Sequence, residues 1–129
     1  EPGAFVAFIG PSGSGKTTIA DLVLGVLEPD RGTVEIAGER PEIVRKAQPG
    51  VIAYVPQKPG LVSGTIAENI ALGIPAHDVD AARLEVAVEA AQLDSLVENL
   101  PDGLDASVGA HADSLSGGQV QRIGIARAL

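Results

Sequence analysis

Cysteine is absent from the 129 residues, which removes disulfides and thiolate metal sites from consideration. Tryptophan is also absent, and Phe5, Phe8 and Tyr54 are the only aromatics, so Val, Ile, Leu and Ala must build the core. That palette suits buried parallel strands and alanine-rich helices. Basic residues are few: nine Lys and Arg stand against 17 Asp and Glu, for a net charge of -8. Such a balance argues against a nucleic-acid surface, which needs clustered cations. No apolar run approaches the ~20 residues of a membrane-spanning helix, and no signal-peptide pattern is visible. There is no methionine, and the chain opens at Glu1-Pro2-Gly3, as expected of a segment cut from a longer protein. Its length suits one domain or part of one.

The first half reads as alternating strand and helix. Ala4–Ile9 is a short apolar run ahead of Gly10, expected as a buried strand. Lys16–Leu27 places Ile19, Leu22, Val23 and Val26 at helical spacing, and Glu28–Gly32 punctuates it with proline and glycine. Thr33–Ile36 alternates like a half-buried strand ended by Gly38, Pro41–Ala47 suits a short helix, and Val51–Val55 reads as a second buried strand. After Gln57 the pattern turns helical. Thr65–Leu72 and Asp80–Gln92 are expected helices, with Leu84, Ala87, Val88 and Ala91 on one apolar face of the latter. Asp94–Asn99 continues helically to the break at Pro101-Asp102-Gly103, Leu104–Ser114 reads as an extended loop, and a last helix is expected from about Gly117 to Ala128. Thr65 and Glu68, three apart, form a capping-box pattern.

Gly10-Pro11-Ser12-Gly13-Ser14-Gly15-Lys16-Thr17 fits the phosphate-loop pattern at every defined position, between an expected strand and an expected helix. Glycines let successive backbone N–H groups converge on one anion, and the following helix adds its positive end. Lys16 is placed to reach the β- and γ-phosphates, and the Thr17 hydroxyl to ligate Mg²⁺. The loop by itself does not distinguish ATP from GTP.

Leu115-Ser116-Gly117-Gly118-Gln119 sits at the expected start of the last helix, where Ser116 is a good N-cap and two glycines permit close approach to an anion. Alone, such a stretch is more often a plain helix cap, because Ser is common there. Together with the phosphate loop it resembles the nucleotide-binding domain of ATP-binding cassette (ABC) transporters, whose signature has this sequence. Gln119–Leu129 continues the resemblance, and Val55-Pro56-Gln57 is similar to the family's Q-loop. Ser63–Ile70 and Leu100–Asp105 resemble the exporter-type branch.

The resemblance implies an α/β P-loop NTPase fold: a partial RecA-like ATP-binding core over residues 1–57, a helical subdomain over 58–116, and a signature helix, 117–129, returning to the core. It implies two such domains paired head to tail around two ATP molecules with Mg²⁺. Gly10–Thr18 would hold one ATP, Gln57 would sense the metal or the attacking water, and Ser116, Gly117, Gly118 and Gln119 would cover the ATP of the partner. Transmembrane domains, expected in the same parent chain, would hold the assembly at the cytoplasmic face of the cell membrane. The cargo is not legible in these residues.

Two departures stand out. Exporters carry a Thr-Glu-Val-Gly-Glu-Arg-Gly-like stretch before the signature, whereas Ala106-Ser107-Val108-Gly109-Ala110-His111-Ala112 lacks both glutamates, and Asp113 is wrongly spaced to replace them. Pro59-Gly60-Leu61-Val62 lacks the aromatics common after an exporter Q-loop. The family's Walker B aspartate, catalytic glutamate and switch histidine would all follow Leu129. His77 and His111 precede the signature and read as solvated surface residues. No catalytic residue is therefore assigned within the chain, and the polypeptide alone is expected neither to hydrolyse ATP nor to fold cooperatively. Two other readings compete: a soluble ABC-family ATPase acting on DNA or ribosomes, and a catalytically inactive regulatory cassette.

Overall fold

The computed structural model describes residues 3–109 and 115–129. By its internal contacts the chain divides into two compact units, Glu1–Ile52 and Ala53–Leu129.

In the first unit, residues 4–10 carry no regular structure, contrary to the expected strand, and Phe5 and Ile9 are 98% and 96% exposed. A strand exists only through its ladder, and no described run pairs with this one. Helix α1 spans Lys16–Val23, four residues shorter than its apolar spacing predicts. Gly25, at φ 65°, stops it: the Gly25 N–H donates to the Leu22 carbonyl and the Val26 N–H to the Asp21 carbonyl, at 3.1 and 2.9 Å. This is the Schellman closure that a left-handed glycine permits. A Cβ on Gly25 would lie 3.1 Å from both Pro41 Cβ and the Glu42 nitrogen, so the end of α1 abuts helix α2, Pro41–Ala47. Pro41 opens α2, where its missing N–H costs nothing. The expected strand at Thr33–Ile36 is reduced to one bridge, Ile36 to Glu39, around a tight turn with Ala37 and Gly38 both at positive φ. That is the backbone a two-residue hairpin demands.

The second unit contains the core. Residues 53–63 run irregularly, so the strand expected over Val51–Val55 is not formed either. Strand β1, Gly64–Thr65, pairs antiparallel with β2, Ser107–Val108, placing Gly64 opposite Val108. Helix α3 is Ile66–Ile70, α4 Ala81–Ala90, α5 Asp94–Glu98 and α6 Gly117–Ala128, with single 3₁₀ turns at Ala76–Asp78 and Gly103–Asp105. The starts of α3, α4 and α6 are capped by side chains, and that of α5 is not. Thr65 and Glu68 form the reciprocal box, and the Asp80 carboxylate accepts from the Ala82 and Arg83 N–H groups. Helix α6 packs on α3 and α4. Ile66, Leu93 and Ile123 are wholly buried at the centre, with Ile70, Ala87, Val88, Ala91, Leu96, Val108 and Ala126 around them. The core is aliphatic throughout, as the scarcity of aromatics requires. Ala110–Ser114, including His111 and Asp113, lie outside the described residues.

Candidate functional site

The phosphate loop lies wholly in the first unit. Gly13 and Gly15 take φ values of 80° and 86°, conformations other residues adopt only at a cost. Gly15 is the N-cap of α1 and supplies no side-chain acceptor, so the first N–H groups of the helix have no cap. The Lys16 ammonium folds back over the loop. It donates to the Gly10 carbonyl at 2.8 Å, the Pro11 carbonyl at 2.7 Å and the Ser14 hydroxyl at 3.3 Å. A Cβ on Gly10 would stand 2.7 Å from the same hydroxyl, so a larger residue there would make Ser14 turn away. Ser12, Thr17 and Thr18 are exposed.

These features fit a phosphate chain. Uncapped N–H groups and a fixed ammonium converge on one exposed loop, and Thr17, the second residue of α1, offers a hard oxygen of the kind that suits Mg²⁺. No residue of α1 is buried.

Gln57 and the second motif belong to the other unit. Gln57 is exposed, two residues before the buried Pro59. Ser116 is the N-cap of α6, as its sequence position implied. Its hydroxyl accepts from the Gln119 N–H at 3.3 Å, while the Gln119 side-chain oxygen accepts from the Ser116 N–H at 2.7 Å. Gln119 is thus the second half of a capping box, a role its spacing from Ser116 would have revealed. Gly117 and Gly118 are exposed with open space where their side chains would be. Among the described residues, the helix start is exposed apart from its own cap.

Two residues with structural weight at this site were not singled out from sequence. Asn69 is wholly buried, and Arg127 reaches it from α6. Neither pattern signals this, because their meeting depends on a contact across 58 residues.

Among the described residues no helix is long and apolar enough to cross a membrane. The sequence model of the family described as "ABC transporter" matches residues 1–129. An ATP-dependent lipid A-core flippase of Ralstonia nicotianae is 43% identical over 129 residues, covering 98% of this chain and 22% of that protein. A mycobactin import ATP-binding/permease protein of Mycolicibacterium smegmatis is 42% identical over 130 residues, covering 100% and 22%. The chain therefore spans about a fifth of the length of these relatives. Among solved structures, a bacterial Atm1-family ABC exporter with ATP bound superposes with a TM-score of 0.77 at 34% identity, over 92% of this chain and 21% of that one. With its phosphate loop and its capped Ser116 signature, matched from end to end, this chain belongs to the ABC transporter family and carries the family's P-loop NTPase, ATP-binding sequence.

Proposed function

We propose that the chain is the ATP-binding part of a transporter that couples ATP binding and hydrolysis to export across a membrane. The observation that carries this reading is the presence, in one chain, of two open helix starts suited to anions. One has the Lys16 ammonium fixed beside it, and the other is capped by Ser116 without being covered. Residues Gly10–Thr18 would bind the phosphates of one ATP: the backbone N–H groups and Lys16 neutralise charge, and Thr17 with Gln57 would hold Mg²⁺. When bound, that metal would supply positive charge that neutralises the phosphates. Ser116–Gln119 would close over a nucleotide held by a second copy or a homologous domain, paired head to tail. Residues 58–116 would act as the helical subdomain and 117–129 would return towards the core of residues 1–57. Membrane domains would hold the pair at the cytoplasmic face of the cell membrane. Export follows the exporter likeness and rests on that analogy alone, since one relative is named for import.

We also propose that residues 1–129 alone do not hydrolyse ATP. The resemblance assigns none of their carboxylates to the attacking water, and general-base catalysis supplies ~10²–10⁴-fold.

The test is Lys16→Ala in the complete protein, with MgATP binding followed by calorimetry. Loss of tight binding is expected, because a charge-assisted contact to the phosphates is removed. Unchanged affinity would overturn the assignment.

A further inference from the structure

Helix α6 grips the chain that follows Gln57 at two places beyond its signature end. At the first, Gly124 lies against Pro59: a Cβ there would stand 2.5 Å from Pro59 Cγ and 3.7 Å from a Val55 methyl. At the second, Arg127 donates through Nε to the Asn69 carbonyl at 2.8 Å and through Nη2 to the Gly60 carbonyl at 3.1 Å. Nη2 also lies 3.4 Å from Asn69 Oδ1.

Asn69 completes the clamp. Its Oδ1 accepts from the Val62 N–H at 2.9 Å, and its Nδ2 donates to the carbonyls of Val62 and Thr65, both at 2.9 Å. The carboxamide thereby pairs with both backbone groups of Val62, as a neighbouring strand would. Residues 59–62 have no regular structure of their own, so these side-chain bonds and the Gly124 contact fix their path.

The geometry points to Arg127 as a positioning residue: with Asn69 and Gly124 it registers the segment following Gln57 against the helix that begins at Ser116. This rests on the proposed function. In that frame, one rigid helix joins the residue that senses the chain's own nucleotide to the residues that cover the partner's. The proposed function gives Arg127 no nucleotide contact, and its described partners are Gly60 and Asn69. Its loss should therefore spare ATP binding and slow turnover, since misplacement by ~1 Å costs up to ~10²-fold in rate.

The experiment measures ATP binding, KM, kcat and the thermal midpoint of the complete protein, wild type and variants. Arg127→Lys keeps the charge and the stem but cannot present two N–H groups in a fixed fork. A fall in kcat of about tenfold is expected, with ATP affinity and KM within about twofold. Gly124→Ala keeps Arg127 but pushes on Pro59 and should give the same split. Wild-type kcat in a folded Arg127→Lys protein would overturn the proposal. So would a rise in KM that follows a falling thermal midpoint, which is the mark of a merely structural role. Failure of the wild-type protein to bind MgATP would instead refute the proposed function on which the inference stands.

Discussion

Lys16 and Asn69 show two ways in which a polar side chain becomes fixed. Lys16 sits on the surface of an exposed loop, and its ammonium is held by oxygens from within six residues of itself. Such a constellation is local, because all its partners lie within one loop motif. Asn69 is fixed by burial, with partners at Val62, Thr65 and Arg127. Its role was not legible, since an asparagine in Ala67-Glu68-Asn69-Ile70 looks like a solvated helix residue until α6 covers it. Asn69→Ala would strand the Val62 N–H and carbonyl and remove the 3.4 Å contact to Arg127 Nη2, leaving the Arg127 bonds to the Asn69 and Gly60 backbone carbonyls in place. Leaving a buried polar group unpaired costs about 1–3 kcal/mol, so the complete protein should unfold at a measurably lower denaturant midpoint. An unchanged midpoint would mean that the clamp adds nothing to stability.

At the scale of elements, helices were legible and strands were not. A helix satisfies its backbone from its own residues, and its start is marked by a cap: Thr65, Asp80 and Ser116 each head a helix as their spacing implies. Helix ends were less legible. The apolar spacing of α1 runs on to Leu27, but the left-handed Gly25 closes the helix first. The runs at 4–9 and 51–55 have strand composition, yet composition cannot provide the neighbouring ladder, and neither forms a strand. The only sheet among the described residues is the short β1–β2 pair, built from segments with no apolar alternation. The cap at α3 invites a direct test. Thr65 Oγ1 accepts from the Glu68 N–H at 3.1 Å, and Glu68 Oε2 accepts from the Thr65 N–H at 2.8 Å. Thr65→Ala should destabilise the complete protein by about 1 kcal/mol, and Thr65→Ser should restore most of it. Equal stability of the Ala and Ser variants in chemical denaturation would contradict this.

The molecule as a whole is unevenly built. The second unit has a wholly buried centre at Ile66, Leu93 and Ile123, whereas the first, among its described residues, buries only Pro41 and leaves Phe5 and Ile9 in solvent. Burying an apolar side chain normally contributes ~1.5–3 kcal/mol, against a domain stability of only ~5–15 kcal/mol. Residues 1–129 as an isolated polypeptide should accordingly show no single cooperative thermal transition and no magnesium-dependent phosphate release above a Lys16→Ala control. A sharp two-state melt accompanied by such release would contradict both expectations. The central claim is that one chain serves two nucleotides, its own through Gly10–Thr18 and a partner's through Ser116–Gln119. The measurement that meets this claim most directly is ATP binding and ATP-driven domain pairing, followed together in the complete protein carrying Ser116→Arg. The account predicts that ATP still binds with nearly wild-type affinity while pairing is abolished, because the arginine blocks the helix start that faces the partner. A folded Ser116→Arg protein that no longer binds ATP, or one that pairs as the wild type does, would contradict it.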